Sequence, residues 1–178
     1  MVMQAFLLLV LVLLLAYTAW QDFVQREIYW FLFPLIAGLF ILNGWLNDGF
    51  MLQYAIANIL LITVQLGLLC VYYLVVRRVQ PKHMEQYLGW GDVLFFFVLT
   101  FVFSPLNFFI FYLSSLLLIA VFYLIKYYFW KSDQSIPLAG FQALLLSLLL
   151  MHDAPSYGFN LYQDDQLLNL MDYASVFK

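Results

Sequence analysis

Six apolar runs divide this chain, and nothing else about it limits the available folds so strongly. They occupy residues 2–20, 28–46, 50–76, 87–103, 106–130 and 138–151. Crossing the hydrocarbon layer takes roughly 20 mostly apolar residues per helix. Five runs are near or above that length, and the sixth is short. Inside a bilayer every backbone polar group must find a partner within the protein, which leaves helices or closed barrels. Runs this long and this uniformly apolar predict helices. The expected fold is therefore an all-α membrane protein with six transmembrane helices.

The rest of the chain agrees. Apolar residues make up 66% and charged residues 10%, where a soluble domain carries about a quarter charged. That excludes a soluble enzyme and gives no basic surface for nucleic acid. The lipid bilayer is the expected surrounding. Residues 1–151 form one helical domain in this reading, and 152–178 an acidic tail carrying Asp153, Asp164, Asp165 and Asp172. The first run is read as a span rather than a cleaved signal, because no Lys or Arg precedes it. Cys70 stands alone within an apolar run, so it is read as a small buried filler and no intrachain disulfide is possible. His83 and His152 lie far apart, and neither is read as a metal ligand.

Basic residues set the orientation. Arg26 follows the first run, Arg77, Arg78 and Lys82 follow the third, and Lys126 and Lys131 flank the end of the fifth. All six fall on one side, with only Lys178 on the other. The excess of Lys and Arg in cytoplasmic loops places those connections inside. Both termini then face outward.

Two carboxylates break the apolar pattern at the same predicted depth. Asp22 follows the first run, and Asp92 opens the fourth within Gly89-Trp90-Gly91-Asp92. An aspartate at membrane depth is costly, roughly 2.5–3.5 kcal/mol at a helix centre. Two carboxylates that approach each other cannot both ionise freely, so one holds a proton while the other stays charged. Such a pair can activate water and protonate a leaving amide. Gly89 and Gly91 would let a helix or an extended peptide come close, and glycine permits positive φ where a helix begins. Plainer roles exist for each residue. Asp22 can pair with Arg26 four residues on, Asp92 can cap the fourth helix, and Pro137 can start the sixth. Asn58, Thr63 and Gln65 are read as bonding to neighbouring helices.

Asp22-Phe23-Val24-Gln25-Arg26-Glu27-Ile28 resembles the first motif of the type IV prepilin and archaeal preflagellin peptidases, an aspartate with arginine four residues later and isoleucine two beyond. Gly89-Trp90-Gly91-Asp92 is similar to their G-x-G-D motif, and Ile136-Pro137-Leu138-Ala139-Gly140-Phe141 to the proline-containing segment that opens their last helices. The resemblance implies that Asp22 and Asp92 are the catalytic pair of an intramembrane aspartic endopeptidase. It implies Gly89, Gly91, Arg26 and Pro137 as residues that shape the site or bind substrate. The implied substrate is a prepilin-like or preflagellin-like precursor with a short basic leader, cut at the cytoplasmic face of the inner membrane without metal or other cofactor. The chain is a divergent example. Tyr29-Trp30 follow Ile28 where the family has Pro-Asn, Leu94 stands where it has lysine, and the third motif lacks Phe-Gly-Pro. With Cys70 the one cysteine in the sequence, the methyltransferase activity of bifunctional members is not expected. Two other classes stay open: a proton-coupled transporter or channel subunit using the aspartates as relays, and a non-catalytic scaffold of a pilus or secretion assembly.

Overall fold

Long and short helices alternate along the chain. In the computed structural model, which describes residues 2–47, 50–78, 89–130, 136–152, 161, 162 and 164, the elements are α1 (Val2–Gln25), α2 (Leu32–Leu46), α3 (Leu52–Val71), α4 (Trp90–Leu99), α5 (Pro105–Trp130) and α6 (Leu138–His152). A π-helical turn, Tyr72–Val76, extends α3. No strand occurs among the described residues. Three helical stretches, Met3–Gln25, Leu52–Val76 and Pro105–Phe129, are long and apolar enough to cross a membrane. The other three helices are 15, 10 and 15 residues long. At 1.5 Å per residue they reach about 15–23 Å, short of a hydrocarbon layer about 30 Å thick. The connection 79–88 and residues 131–135, with Lys82, His83, Glu85, Lys131 and Asp133, lie outside the described residues, as does most of the tail.

Each boundary has a local cause. α1 runs five residues beyond the predicted end at Trp20 because its polar residues find protein partners. Gln21, fully buried, accepts a hydrogen bond from the Tyr29 backbone N–H (3.4 Å) and donates to the Tyr17 hydroxyl (3.1 Å). The helix ends at Arg26, whose φ of 60° is left-handed. α4 stops at Leu99, earlier than predicted, in a run of tight turns: Thr100, Phe101 and Val102 each donate to the carbonyl three residues back. This non-helical stretch is buried, so its carbonyls need partners. Asn58 of α3 supplies them, donating to Thr100 (3.2 Å) and Phe103 (2.8 Å). Ser104 and Pro105 then start α5, with Pro at the first helical position, where its missing N–H leaves no gap.

The core lies where α1, α2, α4 and α6 meet. Leu11, Leu15, Ile36, Phe40, Phe95, Leu99 and Leu146 are completely buried there. α1 packs most extensively against α6, through Ala19, Ala139, Gly140 and Ala143, all buried. Small residues let two helix backbones approach closely in an apolar medium. The outward faces of α3 and α5 expose Leu60, Val64, Leu68, Leu117, Leu124 and many similar residues. An apolar surface so extensive suits lipid rather than water. Trp20, Trp30, Trp45 and Trp90 are exposed, as residues of an aromatic belt would be. Gln65 donates to the Tyr112 hydroxyl (3.0 Å), whereas Thr63 is exposed and Cys70, read as buried, is half-exposed on the sparsely covered α3.

Three residues of the tail segment return to the core. Leu161 and Tyr162 are buried. The Tyr162 ring fills the space beside Gly44, where a Cβ would come within 2.9 Å of it. Its hydroxyl accepts from Asn43 (3.2 Å) and donates to the Phe40 carbonyl (3.3 Å). Asp164 accepts from the Ser104 hydroxyl (2.5 Å) and the Asn107 backbone N–H (3.4 Å), which caps the start of α5.

Candidate functional site

The first turn of α6 gathers both aspartates. A helix start leaves its first backbone N–H groups without helical partners, and here each one can be followed. Pro137 has no N–H. Leu138 donates to the Ile136 carbonyl (2.9 Å), and Phe141 begins the helical ladder by donating to Pro137 (3.1 Å). Between them, Ala139 donates to Asp92 Oδ1 (2.8 Å) and Gly140 donates to Asp22 Oδ2 (2.6 Å). Consecutive amides of one helix thus hold carboxylates that arrive from two others. With consecutive Cα atoms about 3.8 Å apart, the two bonded oxygens lie within about 9 Å of each other. The carboxylates are close enough to act on each other electrostatically.

Asp22 is buried on the last turns of α1, facing the seam with α6. Asp92 is half-buried at the third position of α4. It is not the cap of its own helix, as the simplest sequence reading would have it. Gly89 occupies that position with extended backbone (φ −67°, ψ 139°). Asp92 reaches back to the Gly89 backbone with one side of its carboxylate, in the manner of a capping box, and caps α6 with the other. The positive end of the α6 peptide dipole favours negative charge at this spot.

The remaining predicted residues divide. Arg26 lies one residue past the end of α1, and its charge acts on Asp22, the partner expected from their spacing. It has a left-handed backbone (φ 60°) and hydrogen-bonds with the Tyr123 hydroxyl of α5. Lys126 stands 5.4 Å from the same Tyr123 ring. Neither Gly89 nor Gly91 takes up a left-handed conformation. At Gly91 the nearest neighbour of an added Cβ is Ile28, at 3.6 Å, an ordinary contact. Gly89 is tighter, with Asp92 Oδ2 at 3.2 Å from that position. Pro137 is buried immediately before α6 and opens it.

Ala139 and Gly140 were not singled out by sequence reasoning, although they contribute the amides that unite the site. Pro137 marks a helix start whose next amides lack helical partners, but it does not say which side chains take them. Among the described residues, no group of three or more His, Cys, Asp or Glu side chains is arranged to hold a metal ion. What the arrangement offers is two carboxylates, one more buried than the other, at the interface of three helices.

Comparison with known proteins adds no assignment. No family model matches the chain, and no curated protein or solved structure was found to be similar to it.

Proposed function

We propose that this chain is an intramembrane aspartic endopeptidase of the prepilin-peptidase type, acting at the cytoplasmic face of the inner membrane. The observation that carries this reading is the convergence of Asp22 and Asp92, from separate helices, on adjacent amides of α6. The three motifs of the resemblance contribute one element each: Asp22, Asp92 and the segment that opens α6. In this reading all six helices lie within the membrane, with both termini outside. The short α4 is continued by the largely buried turn from Thr100 to Ser104, whose carbonyls Asn58 satisfies.

The chemistry asks for one carboxylate charged and its partner protonated. The charged one takes a proton from water as the water oxygen bonds to the scissile carbonyl carbon. The protonated one gives its proton to the carbonyl oxygen. Collapse of the tetrahedral intermediate breaks the C–N bond, and the amine leaves with a proton from a carboxyl group. The substrate would be a precursor with a basic leader on the cytoplasmic side and an apolar segment in the bilayer. Co-expression with such a precursor tests the reading. Asp22→Asn and Asp92→Asn each abolish trimming while the protein still inserts. Trimming at the normal rate by either variant ends the proposal.

One observation favours a second reading. Each carboxylate already satisfies an amide, so the pair can serve α6 as structural caps in a non-catalytic membrane scaffold. That reading predicts no cleavage of any leader-bearing precursor, and loss of stability as the sole effect of replacing either aspartate.

A further inference from the structure

We propose that Gly140 is a positioning residue for the Asp22 carboxylate, so that the first turn of α6 is a third component of the peptidase centre; this rests on the reading of Asp22 and Asp92 as the catalytic pair. Gly140 is buried at the seam between α1 and α6. A Cβ built on it would stand 2.9 Å from Asp22 Cβ, 2.9 Å from Asp22 Oδ2 and 3.3 Å from the Ala19 carbonyl oxygen. Non-bonded carbon atoms prefer about 3.5–4.0 Å, so each of these contacts would have to lengthen. Two of the three crowded atoms are not the tips of flexible chains. Asp22 Cβ is one bond from the α1 backbone, and the Ala19 oxygen belongs to that backbone. Any side chain at 140 must therefore turn the Asp22 carboxylate away or separate α1 from α6.

Two other helical glycines have no such neighbours. Gly38 of α2 and Gly67 of α3 have nothing within 4 Å of an added Cβ. Helix propensity alone favours alanine at all three positions. At 140, glycine is instead what allows an amide to approach Asp22 to 2.6 Å. Ala139 serves Asp92 from the neighbouring position, so one rigid turn sets the separation and orientation of both carboxylates. A misplacement of about 1 Å in a catalytic group can cost a hundredfold in rate.

Purified protein in detergent micelles, assayed on a precursor with a short basic leader and an apolar helix, provides the test. Gly140→Ala should lower kcat by about 10–100-fold with KM nearly unchanged, and Gly38→Ala should leave both unaltered. Wild-type kcat in a folded Gly140→Ala protein overturns the proposal when Asp22→Asn is inactive; full activity of Asp22→Asn would instead sink the peptidase reading itself. Should Gly140→Ala fail to fold, the wild-type contact can be read directly. The chain holds only eight glycines, so selective 15N-glycine labelling resolves the Gly140 amide. Its resonance should move in Asp22→Asn far more than that of Gly38, and should move little in Asp92→Asn. A Gly140 shift no larger than that of Gly38 overturns the proposal.

Discussion

Asp22 and Asp92 are bound to amides one residue apart, those of Gly140 and Ala139, although 70 positions of sequence separate the two carboxylates. The bonds are 2.6 and 2.8 Å long and come from the first turn of a helix opened by Pro137. This single turn makes a pair out of two isolated acidic residues. It also gives each aspartate two separable duties, as hydrogen-bond acceptor for α6 and as a candidate acid or base.

Asparagine and alanine should pull those duties apart. An asparagine Oδ1 can still accept from the α6 amide, whereas alanine leaves it unpaired at a cost of about 1–3 kcal/mol. Asp22→Asn is therefore expected to melt close to the unmodified protein and Asp22→Ala well below it. Both should lose cleavage by at least about a hundredfold, since one acid–base group supplies 10²–10⁴ in rate. Thermal melts in detergent and precursor trimming, measured on the same preparations, check the pattern.

Gly44 and Gly38 lie on one helix and should respond oppositely to alanine. At Gly44 the added methyl meets the Tyr162 ring at 2.9 Å and Phe50 Cβ at 3.0 Å, an overpacking that costs about 1–3 kcal/mol. At Gly38 it meets nothing, and helix propensity contributes up to about 1 kcal/mol of stability. Melting temperatures of the two variants should lie on opposite sides of the parent.

Tyr162→Phe tests whether the tail segment is part of the bundle. The change keeps the buried ring but removes the hydroxyl that accepts from Asn43 and donates to the Phe40 carbonyl. Leaving those buried groups without it should cost about 1–3 kcal/mol. Asp164→Ala, which uncaps α5, should cost about 1 kcal/mol more. Unchanged melting in both variants would mean the contacts contribute nothing to stability.

Asn58→Leu addresses the break between α4 and α5. Leucine fits the apolar surroundings, but it cannot donate to the Thr100 and Phe103 carbonyls that Asn58 holds. Intramembrane hydrogen bonds of this sort average about 0.6 kcal/mol, so losing two should lower stability by about 1–2 kcal/mol. Limited proteolysis near the break, together with the melting curve, reports the loss.

Much of the fold was legible beforehand. The six apolar runs coincide with the six α-helices, and Asn58 and Gln65 bond across helices as polar residues in apolar runs should. Element lengths were less legible. Hydropathy carries on past Leu99 to Phe103, yet the helix does not, because Asn58 of α3 and the returning Leu161 satisfy an unwound backbone there. The aspartates were visible as charges where charge is costly. Their supporting amides were not, since Ala139 and Gly140 act through backbone groups that every residue possesses.

Residue types and their order determined the apolar, helical character of this protein and the identity of its two out-of-place carboxylates, because hydropathy and charge are properties of each residue and its near neighbours. Only the tertiary structure decided that Asp22 and Asp92 share one turn of α6, that Gly44 makes room for Tyr162, and that Arg26 hydrogen-bonds with Tyr123. Those outcomes depend on how closely helices pack and which unpaired backbone groups they bring together. Gly140 and Asp22 stand 118 positions apart in the chain, so no local pattern could have foretold their meeting.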